Sequence, residues 1–356
     1  MESIYYVLCW HCHRRCKHCY EARFRPYVRD ALEDVVSEAE RNAPRIVAHL
    51  PPKMMYRDWH HPMPDGNLAE RRGRIILSGG DVLTEPVRER VLYPTLRAIR
   101  ARYQAVGGVN MVVQTTGDLL TPTIIDELLD CGVWMISVAG LDDYHVGMQG
   151  DGSQRLLDRL EGWFHAAGIR RSGVQADERA WMDEAGPVYS AFGATEDAWI
   201  GKLWPRGRAW ENSLSKAGLG DNFCNAWSGG LNFLDYGRSG SEVSIDPSGD
   251  VFPCCLKTAH PLGNLVEEPL LEILDSLAGH PALEAINAGK PERMGLHAGW
   301  SVERFVDAAH TQMPDGRAYA NLCIGCDRFF AEVLGSALDD LRARRLARRQ
   351  AAGSSQ

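Results

Sequence analysis

The sequence predicts an α/β protein with a second, smaller domain towards its C-terminal end, and three observations predict it. Short apolar runs alternate with amphipathic stretches through the first half, and repeated strand–helix alternation implies parallel strands in a sheet or barrel. The texture changes after about Trp210, where glycine and polar residues become dense. A length of 356 residues fits about two domains at roughly 150 residues each.

Taken in order, Ile4–Leu8 (IYYVL) reads as a buried first strand, and residues 30–50 carry helical periodicity. Arg74–Leu77 is a second strand, and Pro86–Tyr103 is helical with Pro86 placed in the first turn. Val109–Gln114 is a third strand, followed by a helix over Thr121–Cys131 with Thr121 as N-cap and Pro122 behind it. Val133–Ala139 is the fourth strand, and Ser153–Ala167 is a helix closed by Gly168. Weaker strands are expected near Arg171–Gln175 and Trp199–Leu203. Beyond them, Glu242–Pro253 reads as a hairpin whose turn, Asp246-Pro247-Ser248-Gly249-Asp250, supplies proline and glycine where the backbone needs them. Residues 51–73, a polar insertion containing Trp59, His60 and His61, read as a lid or a disordered loop. The tail carries Arg342, Arg344, Arg345, Arg348 and Arg349 and reads as a frayed surface helix. The expected organisation is residues 1–210, residues 211–335 and a basic tail over 336–356.

Composition narrows the function. A chain 45% hydrophobic and 24% charged is an ordinary globular one, which excludes a disordered or collagen-like protein. The net charge of −8 argues against a nucleic-acid binder, whose affinity rests on Lys and Arg meeting phosphate. No apolar run approaches the roughly 18 residues of a membrane span. Met1-Glu2-Ser3 shows no basic n-region, so no signal peptide is expected and the compartment is read as a reducing cytoplasm. In that setting ten cysteines, four of them between Cys9 and Cys19 and two in Cys323-Ile324-Gly325-Cys326, point to metal rather than disulfides.

Cys12, Cys16 and Cys19 follow directly on the first strand with the spacing C-x3-C-x2-C. In parallel barrels chemistry collects at the C-terminal ends of strands, where this loop sits. Three thiolates suit an iron–sulfur cube with one iron open to a substrate. Adding Cys9 gives C-x2-C-x3-C-x2-C, which also suits a closed four-thiolate zinc site.

The segment Cys12-His13-Arg14-Arg15-Cys16-Lys17-His18-Cys19-Tyr20 resembles the signature of the radical S-adenosylmethionine (SAM) superfamily. Further likenesses follow in order. Gly79-Gly80-Asp81 resembles the "GGE" motif, with Asp for Glu. Gln114-Thr115-Thr116-Gly117 resembles a "TNG" segment, and Ser137-Val138-Ala139-Gly140 an "S-x-D-G" segment lacking its Asp. His145 with Gly150-Asp151-Gly152-Ser153 echoes an "H…RGxGS" stretch in which Gln149 takes the Arg position. The resemblance implies a partial (β/α)6 TIM-like barrel holding a [4Fe–4S] cluster on Cys12, Cys16 and Cys19. It implies that SAM chelates the fourth iron near Gly79, Gly80, Asp81 and Ser137, with the acidic side chain pairing the SAM ammonium. Cys9 and Cys131 then read as packing residues.

Downstream, Pro205-Arg206-Gly207-Arg208-Ala209, Gly249-Asp250-Val251-Phe252-Pro253-Cys254, Leu262-Gly263-Asn264-Leu265 and Cys323-x2-Cys326 resemble a SPASM or "twitch" domain. This implies one auxiliary [4Fe–4S] cluster on Cys224, Cys254, Cys323 and Cys326, with Cys255 as the alternative ligand; a structural zinc site is the other reading of the same residues. Neighbours on a strand face opposite ways, so one of Cys254 and Cys255 should reach the cluster. The implied activity is reductive SAM cleavage to a 5′-deoxyadenosyl radical and hydrogen abstraction. The outcome would be oxidation, C–H functionalisation or crosslinking of a small natural product or a peptide. The implied partners are that substrate and a reductant such as flavodoxin or ferredoxin, with no nucleic acid and no membrane. With a first strand at residue 4, no N-terminal peptide-recognition domain is expected. The alternative is a non-catalytic zinc- or cluster-stabilised binding protein.

Overall fold

The computed structural model of the chain describes residues 1–173, 185–195 and 199–353. The described strands are β1 (Ser3–Val7), β2 (Met55–Arg57), β3 (Glu70–Arg72), β4 (Arg74–Ser78), β5 (Asn110–Thr115), β6 (Met135–Ala139), β7 (Arg170–Arg171), β8 (Val188–Phe192), β9 (Glu242–Ile245), β10 (Asp250–Phe252), β11 (Gly263–Asn264) and the separate antiparallel pair β12 (His310–Gln312) and β13 (Ala318–Ala320). One large sheet runs in the order β11-β10-β9-β1-β4-β5-β6-β8-β7. It is parallel from β9 through to β7, and the hairpin β9–β10 adds the antiparallel edge. Helices Asp30–His49, Tyr93–Tyr103, Pro122–Asp130 and Gly152–Ala166 follow β1, β4, β5 and β6, the connections parallel pairing requires. Residues from β1 and from β7–β8 line one cavity, so the sheet curls into an open barrel.

Registers across the sheet stack the barrel interior in layers. Tyr5, Ile76, Val112, Met135 and Val188 stand opposite one another on β1, β4, β5, β6 and β8 and form an apolar cluster with Tyr56 and Trp134. One pleat nearer the C-terminal ends, Gln114, Ser137 and Ser190 are aligned and the interior turns polar. Alternation with a period of two places these residues inside while Ile4, Leu77, Val113, Ile136 and Val138 join the core beneath the helices.

Several expectations need correction. Residues 51–73 neither cover the barrel mouth nor form a loose loop. They hold the antiparallel pair β2–β3, whose Tyr56 closes the end of the barrel opposite the cysteine loop. Fully buried Asp58 organises this plug by accepting from the His60 and His61 amides and from Arg71 Nε at 2.7 Å. The strand expected near Trp199–Leu203 is a short 3-10 turn, Trp199–Lys202, and β8 supplies the barrel strand instead. Of the strand expected near 171–175, β7 covers Arg170–Arg171, and residues 174–175 lie outside the described residues. Past the hairpin the chain is mainly helical, with Leu270–Leu277, Pro281–Asn287, Val302–Ala308 and Leu322–Phe329. Helices of two turns carry too few apolar positions to display a periodic stripe.

The tail is a docked helix, Gly335–Gly353, rather than a frayed one. Arg342 pairs with Glu267 and Arg349 with Glu272 at the surface. Arg345 is buried: its Nε meets Glu268 Oε2 at 2.6 Å, and Nη2 meets Glu268 Oε1 at 2.9 Å and the Leu262 carbonyl at 3.1 Å. Their partners lie more than seventy positions earlier in the chain, so no local charge pattern announces them. Removing one member of a buried pair strands the other, which costs about 3–5 kcal/mol. Arg345→Met should therefore lower the denaturant midpoint of the apoprotein strongly. Adding Glu268→Gln should recover part of the loss, and an unchanged midpoint in Arg345→Met would show that the helix is not anchored there.

Candidate iron–sulfur site

The loop that follows β1 carries Cys12, Cys16 and Cys19, and all three line a cavity of about 550 Å3 at the C-terminal ends of the barrel strands. That volume lies within the range of small-molecule sites, about 300–1,000 Å3. Cys12 and Cys16 are buried, and burial pushes the thiols of Cys12 and Cys19 up to about 12 and about 11. Metal binding at such thiols is coupled to release of their protons.

An irregular loop in a protein interior must find partners for its carbonyls. Arg208 provides them, donating from Nε to the Cys16 carbonyl at 2.8 Å, from Nη1 to that of Ala22 at 2.8 Å and from Nη2 to that of Phe24 at 2.7 Å. The Ala209 amide donates to the Cys19 carbonyl at 3.1 Å. On the opposite side Gly79 and Gly80 press their backbones against the loop. A Cβ on Gly80 would lie 2.2 Å from the His11 carbonyl oxygen, and one on Gly79 would lie 2.8 Å from that of Cys9. These glycines thus serve the loop's own backbone as well as lining the cavity. Asp118 ties the loop to the segment after β5, with Oδ2 at 2.8 Å from both His13 Nε2 and Arg14 Nη2.

Ser137 lines the same cavity, and Ser190 Oγ is 3.1 Å from its hydroxyl. Thr116, Ala139, Gly140, His18 and His145 also contribute to the wall. His145 is held by Asp142, whose Oδ1 is 2.9 Å from its Nδ1, and packs against the His18 ring at 4.4 Å. Asp81 is placed differently. Its carboxylate is 2% exposed and accepts from the Leu83 amide at 3.0 Å, Thr115 Oγ1 at 3.0 Å, the Thr116 amide at 3.1 Å and Thr116 Oγ1 at 2.7 Å. It stands behind the wall and holds Thr115 and Thr116 against the Gly79-Gly80 turn. Gln149 is likewise turned away, with its side chain spent on the Gly147 amide and the Asp143 carbonyl.

Cys224, Cys254, Cys323 and Cys326 line a second, small pocket together with Arg206 and Lys257. Two matching Asn caps aim two of these cysteines. Asn222 accepts from the Cys224 amide at 3.0 Å, and Asn321 accepts from the Cys323 amide at 2.9 Å at the start of Leu322–Phe329. Gly325 lets that helix close on Phe305, whose ring would be 2.8 Å from a Cβ. Cys255 leaves this pocket and lines the large cavity beside Tyr5 and Tyr20. Cys9 and Cys131 are core residues, 1% and 3% exposed. The two cysteine segments are tied by Lys257 Nζ and Glu21 Oε2 at 3.0 Å. Although burial opposes its ionisation, hydrogen bonds from Arg23 and the charge of Lys257 hold Glu21 down at about 2.

Sequence reasoning did not single out Asp118, Asp142, Asn222, Asn321 or Lys257. The repeated Asn-x-Cys at Asn222–Cys224 and Asn321–Cys323 was the available signal for two of them.

Residues 238–327 match the SPASM family, an iron–sulfur cluster-binding domain. No curated protein matches the chain. Among solved structures, BtrN in complex with AdoMet and 2-DOIA is similar, at 14% identity and a TM-score of 0.39 over 85% of this chain and 92% of that one. Native anSMEcpe with bound AdoMet and Cp18Cys peptide is similar at 12% identity and a TM-score of 0.41, over 95% and 98%. Streptococcus suis SuiB bound to precursor peptide SuiA is similar at 12% identity and a TM-score of 0.31, over 85% and 74%. All three superpose loosely on this chain. The matched segment 238–327 is thus similar to a SPASM iron–sulfur cluster-binding domain, and Cys224, from outside it, lines the same pocket as Cys254, Cys323 and Cys326.

Proposed function

We propose that this protein is a radical SAM enzyme. In this reading Cys12, Cys16 and Cys19 hold a [4Fe–4S] cluster that binds SAM, and Cys224, Cys254, Cys323 and Cys326 hold one auxiliary [4Fe–4S] cluster. The observation that carries the reading is the separation of seven cysteines into two sets, three on the wall of a large cavity and four around a small pocket beside it. The donor sets fit: three thiols facing open space leave one metal position for a ligand, and four thiols around a small pocket leave none. When bound, the cluster and SAM supply a 5′-deoxyadenosyl radical that takes a hydrogen atom from the substrate.

The chain's own residues position and shield that chemistry. Gly79, Gly80 and Ser137 are the SAM-facing wall, and Asp81 supports it through Thr115 and Thr116. Leu203, Trp204 and Leu256 close the cavity on the side of the SPASM domain and keep water from the reacting centre. Below them, Tyr5, Ser78 and Gln114 form a hydrogen-bonded row, with Tyr5 Oη 2.7 Å from Ser78 Oγ and 2.9 Å from Gln114 Oε1. Burial pushes the Cys255 thiol, on the cavity wall, well above its ordinary pKa. The reaction is oxidation, C–H functionalisation or crosslinking of a small molecule or peptide. It is fed by a low-potential donor such as flavodoxin or ferredoxin in a reducing cytoplasm. Among the described residues no helix is long and apolar enough to cross a membrane.

Anaerobically reconstituted protein with dithionite and SAM should release 5′-deoxyadenosine. A Cys12→Ala/Cys16→Ala/Cys19→Ala variant should release none while keeping its auxiliary iron. Cleavage by the triple variant would remove the proposed primary site, and a wild type that binds zinc in place of iron would favour a metal-stabilised binding protein.

The two adjacent cysteines give a second test. Cys254→Ala should lose auxiliary iron or leave a cluster with an exchangeable site, whereas Cys255→Ala should keep about four auxiliary irons, the complement of one cube. Iron counts and electron paramagnetic resonance on both variants decide it. The reverse pattern would transfer the ligand role to Cys255.

A further inference from the structure

Arg206 is the one cation besides Lys257 on the wall of the four-cysteine pocket among the described residues. Its side chain is only 15% exposed, and its Nη2 pairs with Asp327 Oδ1 at 2.9 Å, on the residue next to Cys326. Nη1 donates to the Pro205 carbonyl at 3.0 Å, which fixes the direction of the guanidinium. Its backbone is fixed as well. Gly207 has a positive φ of 50°, and a Cβ there would lie 2.5 Å from the Tyr20 carbonyl, so this stretch is pressed against the loop of Cys12–Cys19. Arg206 and Arg208, two residues apart, therefore serve different sites. Arg208 holds the primary cysteine loop by its carbonyls, and Arg206 reaches the other pocket.

We propose that Arg206 is the counter-charge of the four-cysteine site and raises the reduction potential of the cluster held there, with Asp327 set against it. This rests on the reading that Cys224, Cys254, Cys323 and Cys326 hold that cluster. Reduction adds one electron and one negative charge to a cluster, with no bond made or broken, so a fixed cation beside it favours the reduced form and a fixed anion opposes it. A guanidinium is not deprotonated in proteins, so Arg206 is a fixed cation on the wall of this pocket. Asp327 is the carboxylate set against it, with its Oδ1 2.9 Å from Arg206 Nη2. The electron held at this site comes from, or returns to, a one-electron carrier of the flavodoxin or ferredoxin class.

The test is a redox titration of the full chain carrying both clusters, following the paramagnetic signal that SAM leaves unchanged. Arg206→Gln should lower the midpoint potential by at least about 59 mV, a tenfold shift in the one-electron equilibrium. Asp327→Asn should raise the potential, and Arg206→Lys should lie between Arg206→Gln and the wild type. A purely structural role would instead lower auxiliary iron content in both variants without moving their potentials in opposite directions. An unmoved potential, or shifts of the same sign in Arg206→Gln and Asp327→Asn, overturns the proposal. A wild-type chain with no SAM-insensitive cluster signal overturns the reading of the four-cysteine site and the proposal with it.

Discussion

The rest of the molecule depends on how the loop after β1 is held. It is irregular, it is packed between the barrel and the SPASM-matched segment, and it carries three thiols on one cavity wall. Its carbonyls cannot be left without donors, because an unmade buried hydrogen bond costs about 1–3 kcal/mol. A single guanidinium, Arg208, satisfies three of them from one point. It does so from a segment about 190 residues later, so the form of the cysteine loop rests on a contact distant in sequence. The glycine pair Gly79-Gly80 and Gly207 clamp the same loop from two other sides, each at a distance no Cβ would allow.

That clamp also sets the relation between the two cysteine groups. The strand β9 pairs with β1 in parallel, so the hairpin leading to Cys254 grows out of the barrel sheet itself. Cys254 and Cys255 then part, one to each cavity. Lys257 continues to Glu21, two residues beyond Cys19, and lies over the Trp10 ring at 4.2 Å. A buried pair such as this stabilises little on its own, because both ions give up hydration. Its use is to fix the register of one cysteine segment against the other.

Much of this was legible in the sequence. The four central barrel strands show as apolar runs because parallel strands are buried on both faces, and Thr121, Gly168 and the Asp246 turn mark a helix start, a helix end and the hairpin through backbone chemistry that is local. The cysteines were legible because their spacing is itself the chemical signal. What stayed hidden depends on side-chain partners that no periodicity or capping signal announces. Asp58 makes residues 51–73 a plug only by gathering Arg71 and two histidine amides, and Arg345 makes the tail a docked helix only by meeting Glu268. The role of Asp81 was hidden for the same reason. Its charge marks it for a ligand, and its position among Thr115, Thr116 and Leu83 gives it to the protein's own backbone and hydroxyls. Strand β8 escaped because its run Val188-Tyr189-Ser190-Ala191-Phe192 is short and interrupted by a serine that belongs to the polar layer of the interior.

The central claim is that two iron–sulfur clusters occupy chemically different sites in one chain. Its most direct measurement is the electron paramagnetic resonance spectrum of the anaerobically reconstituted, dithionite-reduced wild-type protein, recorded with and without SAM. The account predicts signals from two [4Fe–4S] clusters, of which SAM perturbs one and leaves the other unchanged. A single cluster signal, or a spectrum in which SAM changes nothing, would contradict it.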